Sequence, residues 1–100
     1  MSQKVQANRI AEYQACLAQF EQDVVTKIND DPKYGEDSST YRNRCNDDRF
    51  IPVDTHLRET NLAIRTAYAK SDRKITYMYY QKTNPDIGDG TFVVVSEHKP

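Results

Sequence analysis

The chain has 100 residues, a formal net charge of −1 and a hydrophobic fraction of 37%. No apolar run approaches the roughly 20 residues that a membrane-spanning helix needs, and three glycines with four prolines exclude collagen-like and linker-like chains. Two cysteines are too few for a disulfide-dense miniprotein. We therefore expect one folded domain over residues 1–100.

Residues 3–29 predict one long helix. Apolar side chains recur three or four positions apart, which is the spacing of a single helix face: Ile10, Tyr13, Leu17, Phe20, Val24 and Ile28. Such a helix is about 39 Å long at 1.5 Å per residue. A compact domain of this size has a radius of gyration of only about 13 Å. The helix is therefore shorter or bent, or one of its ends projects toward a partner.

A polar stretch at residues 29–49 predicts a loop, and a short strand is expected after it at Phe50 and Ile51. A loop this long in a small domain is usually tied down or functional. Two alternatives stay open for this segment. It folds back to supply a further strand and cover for the sheet, or it leaves the sheet open to a partner.

Cys16 on the first helix and Cys45 in the polar loop predict a disulfide bond, because a bridge would explain how so polar a loop stays ordered. Closing the loop between them stabilises the fold by about 3 to 4 kcal/mol in the chain-entropy model. A disulfide implies an oxidising compartment, so an exported protein whose leader was removed is favoured over a cytoplasmic one. The alternative is two reduced cysteines, with Cys16 buried as a small hydrophobe.

Residues 54–70 predict a second helix, with Asp54 or Thr55 as its N-cap. Residues 74–82 and 91–96 predict the two strands of a β-hairpin, because turn-forming residues separate two runs with strand composition. The expected fold class is α+β: a long N-terminal helix, a second helix and a C-terminal antiparallel β-hairpin that a third short strand could extend.

Both faces of the predicted hairpin are apolar. Strict alternation along its first strand predicts two sets of side chains on opposite faces: Ile75, Tyr77 and Tyr79 on one, and Thr76, Met78 and Tyr80 on the other. The two helices can cover one face. The other face, or an open edge, is then available to a second copy or to another protein.

These features predict a small non-enzymatic protein-binding module, such as an inhibitor, immunity protein or adaptor, whose partner is another protein or a second copy in a homodimer. Tyrosine and arginine are frequent interface anchors. The candidate contact residues are Tyr34, Tyr41, Arg42, Arg44, Tyr77, Tyr79 and Tyr80. No cofactor is expected, and no metal site either, because the cysteines and histidines include no short ligand pair.

Two alternatives come from other classes. Residues 65–82 interleave basic residues with tyrosines and would suit a nucleic-acid-binding protein, although a pI near 6.1 argues against it. A small enzyme would use carboxylates, or Cys45 as a thiol with His56 or His98 as its base. No local signature supports that enzyme, and His56 with Glu59 predicts an ordinary pair on a helix surface.

Charge is distributed unevenly along the chain. Acidic residues dominate residues 12–37 and basic residues dominate residues 58–82. If the two regions pack together, most of this charge cancels within the molecule, which is the expectation for a mixed surface. If they face apart, the charge steers encounters with a charged partner.

Overall fold

The computed structural model describes residues 3–30, 36–47, 49–84 and 89–99 of the chain. This part folds into two helices and three strands, in the order α1 (Gln3–Asp30), β1 (Glu36–Arg42), α2 (Val53–Ala69), β2 (Arg73–Asn84) and β3 (Asp89–His98). The strands form one antiparallel sheet in the order β1-β3-β2, and the helices pack on one of its faces. The predicted α+β class is confirmed.

Helix α1 runs its full predicted length. The buried members of its apolar stripe are Tyr13, Phe20, Val24 and Ile28. Residues 7–12 are exposed instead, and Ile10 keeps 45% of its surface in solvent. The molecule measures 51 × 25 × 17 Å with a radius of gyration of 14.8 Å. The N-terminal end of α1 therefore projects beyond the body, which is one of the two outcomes expected from its length.

The polar segment at residues 29–49 contains a strand, so the prediction of a loop is wrong for residues 36–42. Strand β1 pairs with β3 from Glu36 opposite Glu97 to Arg42 opposite Thr91. Only the inner face of β1 enters the core, through Tyr41, and its outer face meets solvent. A strand with one solvated face tolerates polar residues there, which is why the composition resembles a loop. The segment folds back and supplies the further strand of the first alternative, but its described residues do not cover the outer face of the sheet.

The short strand predicted at Phe50 and Ile51 is wrong. The backbone N–H groups of both residues donate to the carbonyl of Asp47, at 3.0 and 2.8 Å, and form a turn. Helix α2 starts directly after it. Its N-cap is Pro52 without a side-chain hydrogen bond, and the predicted cap Asp54 lies in the first turn. There its carboxylate interacts favourably with the positive end of the helix dipole.

Strands β2 and β3 form the predicted hairpin, but the face assignment along β2 is wrong at Ile75 and Thr76. The register between the strands shifts between Ile75 and Tyr77, so Thr76 is the extra residue of a β-bulge. The bulge places Ile75 opposite the buried Ser96, on the inner face with Met78. Tyr77 and Tyr79 are left on the outer face.

The core lies between the helices and the inner face of the sheet, and an aromatic cluster centres it. The Tyr41 ring makes edge-to-face contacts with Phe20 of α1 and Tyr68 of α2, at centroid distances of 6.3 and 6.4 Å. The hydroxyl groups of Tyr41 and Tyr68 are 2.9 Å apart and hydrogen-bonded. One residue of β1 therefore joins both helices to the sheet.

Candidate functional site

The sheet separates the predicted contact tyrosines of the hairpin. Tyr77 and Tyr79 project from the outer face and are 59% and 44% exposed. Tyr80 points to the inner face, half-buried beside Phe92, with ring centroids 4.7 Å apart. Gly90 makes room for it, since a Cβ at that position would lie 2.6 Å from Cζ of Tyr80. The three tyrosines therefore belong to two different surfaces.

Tyr41 is a core residue, which corrects its assignment as a candidate contact. Its exposed fraction is 6%, and burial together with the bond to Tyr68 raises the pKa of its hydroxyl far above the usual value. The polar composition around it concealed that it occupies an inward position of a strand. Tyr34, the other tyrosine predicted in this segment, lies outside the described residues.

Arg42 and Arg44 are both exposed but lie in different environments. Arg42 is at the end of β1, with its Nε 3.8 Å from a carboxylate oxygen of Asp89. Arg44 pairs with Asp23 of α1 and lies over the Phe20 ring, 5.3 Å from its centroid. Its hydrogen bond is the main cause that lowers the pKa of Asp23. Arg44 therefore holds the segment after β1 against α1.

Cys16 and Cys45 lie at disulfide distance, as predicted. Their sulfur atoms are 2.09 Å apart and their Cα atoms 5.8 Å apart. The pair connects the middle of α1 to the segment that follows β1, where Cys45 is buried. Because both cysteines of the chain are used, neither is a free thiol in this structure. The proposed thiol nucleophile thus has no thiol to ionise.

His56 is fully buried, not on the helix surface as predicted. Its Nδ1 lies 3.2 Å from Nδ2 of Asn43, whose Oδ1 accepts a hydrogen bond from Thr60 at 3.2 Å. All three residues are at most 1% exposed. The sequence shows that His56 and Thr60 are one helical turn apart. It does not show that their partner is Asn43, which directly follows β1. The three side chains form hydrogen bonds with one another in the core, and solvent has no access to them.

The structure brings only part of the basic and aromatic segment 65–82 together: Arg65, Tyr68, Arg73 and Lys74 line one concavity beside α2. Tyr68 is in the core, and Lys70 pairs with Glu21 of α1 at 3.1 Å. Arg73 is buried and donates to the hydroxyl of Ser96 at 2.9 Å. No cluster of three or more potential metal ligands occurs among the described residues.

The outer sheet face is a tyrosine-bearing surface that neither helix covers. We use this name for the outward side chains of the three strands: Ser38, Thr40, Tyr77, Tyr79, Val93 and Val95. Tyr77 lies opposite Val95 and Tyr79 opposite Val93. The two tyrosine rings are tilted against each other with centroids 5.6 Å apart. The valines and the tyrosine rings form the apolar centre of this face, and the hydroxyl groups of Ser38 and Thr40 lie at its margin on β1.

Comparison with protein-family models, with curated proteins and with solved structures finds no match for this chain. Neither helix of the described residues is long and apolar enough to cross a membrane.

Proposed function

We propose that this chain is a non-enzymatic protein-binding module that contacts another protein through its outer sheet face. The exposure of Tyr77 and Tyr79 beside two valines, on a face without cover, carries the proposal. Tyrosine contributes a large apolar ring and a polar tip with few rotatable bonds, which makes it a frequent anchor of interfaces. The margin of Ser38 and Thr40 supplies the polar rim that such interfaces have.

The partner is a different protein or a second copy of this chain. A homodimer would stack two outer sheet faces or pair the open edge of β2 with its counterpart. A complex with a different protein would suit an inhibitor, an immunity protein or an adaptor. Substitutions on the outer sheet face disrupt a complex with either partner at that face, so one set of variants tests both. A dimer paired along the β2 edge would survive them, because strand pairing uses backbone groups.

The other function classes have less support from the described residues. A nucleic-acid interface would need the basic residues and the tyrosines of residues 65–82 side by side on the surface. Tyr68 and Arg73 are buried instead, and Lys70 is paired with Glu21. A thiol enzyme would need Cys45 free and near a histidine, yet Cys45 is bonded to Cys16 and His56 is sealed in the core.

The test replaces the two anchors without touching the core. The double variant Tyr77→Ser/Tyr79→Ser is compared with wild type, and Ile10→Ser is the matched control because Ile10 is as exposed as Tyr79. Each protein is immobilised to capture partners from native extract, and each is also examined by sedimentation equilibrium. We expect the tyrosine variant to bind about tenfold more weakly or worse, and the Ile10 variant to bind normally.

Far-UV circular dichroism of all three proteins verifies that they are folded. The proposal is contradicted if the tyrosine variant retains the same partner and the same association state as wild type. It is equally contradicted if wild type captures no protein and stays monomeric.

A further inference from the structure

A second uncovered apolar surface lies on the helix side of the sheet. This α2–β2 groove encloses about 560 Å³ at its wider end, where it is lined by Leu57, Arg58, Asn61, Leu62, Tyr80 and Phe92. A second concavity of about 220 Å³ lies toward the other end of α2, where Ala69 and Ile75 line it together with the basic residues Arg65, Arg73, Lys74 and Lys99. Helix α2 rises about 18 Å from Leu57 to Ala69. The groove therefore has the length of about three helical turns.

Two of the three leucines of the chain line the wider end of the groove: Leu57 and Leu62. Leu57 is half-buried and packs against the core, whereas Leu62 is 58% exposed. Together with Tyr80 they form one apolar patch, and an exposed apolar patch marks an interaction site where a single exposed leucine would not.

Two arginines border the groove and make no ion pair among the described residues. Arg58 and Arg65 are seven residues apart on α2, which places them on one side of the helix about 10.5 Å apart. Asn61 accepts a hydrogen bond from Nε of Arg65 at 2.8 Å and orients its guanidinium group. Asp54 is one turn before Arg58, yet the two side chains form no ion pair. Other basic residues, such as Lys70 and Arg44, are held by acids of α1.

We propose that the α2–β2 groove binds an amphipathic helix of a partner protein that carries acidic residues two turns apart. Its apolar side would cover Leu57, Leu62 and Tyr80. Its carboxylates would pair with Arg58 and Arg65, whose fork of donors suits bidentate binding. The partner helix would lie beside α2 and complete the helix layer over the edge strand β2. The inference deepens the proposed binding function but uses a different surface, so each can fail alone.

The positive charge of Arg58 and Arg65 at the border of the groove argues against a second copy of this chain as the occupant. The most exposed helical segment of the described residues is the start of α1, at residues 7–12, where Arg9 lies over the Phe50 ring and near Asp47. It offers one large apolar side chain, Ile10, and a single acid, Glu12, next to Arg9. A small anionic amphiphile would match the chemistry of one end, but not a groove of two concavities along 18 Å of α2.

The test selects partners from a displayed library of random 12-residue helical peptides, which match the length of α2 along the groove. Selected peptides are measured by fluorescence anisotropy against wild type and three variants: Leu62→Ser, the double variant Arg58→Glu/Arg65→Glu, and Tyr77→Ser/Tyr79→Ser as the control. We expect acidic amphipathic peptides to be enriched. We also expect both groove variants to bind them about tenfold more weakly, and the tyrosine variant to bind them normally.

Charge exchange provides the decisive comparison. A selected peptide whose acidic residues are replaced by lysine should regain affinity for Arg58→Glu/Arg65→Glu and lose it for wild type. The proposal is overturned if no peptide is enriched, or if binding survives both groove variants. It is overturned as well if the groove binds dodecanoate but no peptide, or if Leu62→Ser abolishes a dimer of the chain itself.

Discussion

Two buried tyrosine hydroxyls have opposite environments in this protein. The hydroxyl of Tyr41 is hydrogen-bonded to that of Tyr68 at 2.9 Å. The hydroxyl of Tyr13 is buried without a hydrogen-bond partner among the described residues. A buried polar group that gives up its bonds to water without a replacement costs stability. The same chemical change, loss of the hydroxyl, should therefore have opposite effects at the two positions.

We expect Tyr13→Phe to raise the free energy of unfolding by about 1 kcal/mol, because it removes an unpaired buried hydroxyl. Tyr41→Phe should lower it by about 1 to 2 kcal/mol, because the Tyr68 hydroxyl is left without its partner. Urea denaturation of both variants beside wild type measures the difference. A loss of stability in Tyr13→Phe would show that its hydroxyl is hydrogen-bonded in solution.

Alkaline pH should destabilise the protein through the same groups. Burial, and to a smaller extent the charge of Glu59, raises the pKa of Tyr13 from 10.0 to about 12. Between these values the unfolded chain ionises first and is stabilised relative to the folded protein. We expect the free energy of unfolding to fall as pH rises from about 10 to about 12, and to fall less steeply in Tyr13→Phe. Equal slopes for the two proteins would contradict this assignment.

At the scale of elements, both helices and the hairpin could be predicted because their signals are local. Apolar side chains repeat with helical spacing in α1 and α2, and β2 and β3 have the composition of strands with turn residues between them. Strand β1 has no such signal. Its pairing with β3 is decided by residues 49 to 61 positions later in the chain, from Arg42 with Thr91 to Glu36 with Glu97, and strand preference depends strongly on such context.

The bulge at Thr76 shows a second limit of sequence reasoning. Alternation predicts faces correctly only while the register is regular, and one inserted residue reverses the assignment beyond it. Tyr77 and Tyr79 share one face, as predicted, and that face is the uncovered one. Ile75 is found on the opposite one, where it adds to the helix side of the sheet.

The candidate surfaces were predictable to different degrees. Alternation correctly separates Tyr77 and Tyr79 from Tyr80, but it does not say which of the two faces the helices cover. Tyr41 is predicted as a contact residue on the same ground of residue type, and it is in the core. The α2–β2 groove was not predicted, although one residue signalled it. Leu62 does not fit the apolar stripe of α2, and it gains meaning only because the fold places it beside Leu57 and Tyr80 in one apolar patch.

At the scale of the whole molecule, a two-layer architecture leaves apolar area on both sides of one edge strand. Strand β2 contributes Tyr77 and Tyr79 to the outer sheet face, and Tyr80 to the α2–β2 groove. The acidic and basic regions of the chain are only partly neutralised against each other, through contacts such as Glu21 with Lys70. Arg58 and Arg65, which make no ion pair among the described residues, lie beside the α2–β2 groove. The two proposed surfaces thus share β2 and differ in charge.

The link between Cys16 and Cys45 acts on this whole architecture because it ties α1 to the segment after β1 across 29 positions of the chain. A closed loop of that size restricts the unfolded chain, and its loss should cost about 3 to 4 kcal/mol. We expect reductant to lower the free energy of unfolding of wild type by this amount. The double variant Cys16→Ala/Cys45→Ala should resemble reduced wild type and should not respond to reductant.

Thiol alkylation before and after reduction shows whether the disulfide is formed in the protein whose stability is measured. Non-reduced, unfolded wild type should incorporate no label, and reduced wild type should incorporate two, one for each cysteine of the chain. If non-reduced protein already takes up two labels and is indifferent to reductant, the sulfur atoms are adjacent but not bonded. Packing of Cys45 and the pairing of Arg44 with Asp23 would then have to hold β1 in the sheet without a covalent link, and the stability of the fold would be independent of redox conditions.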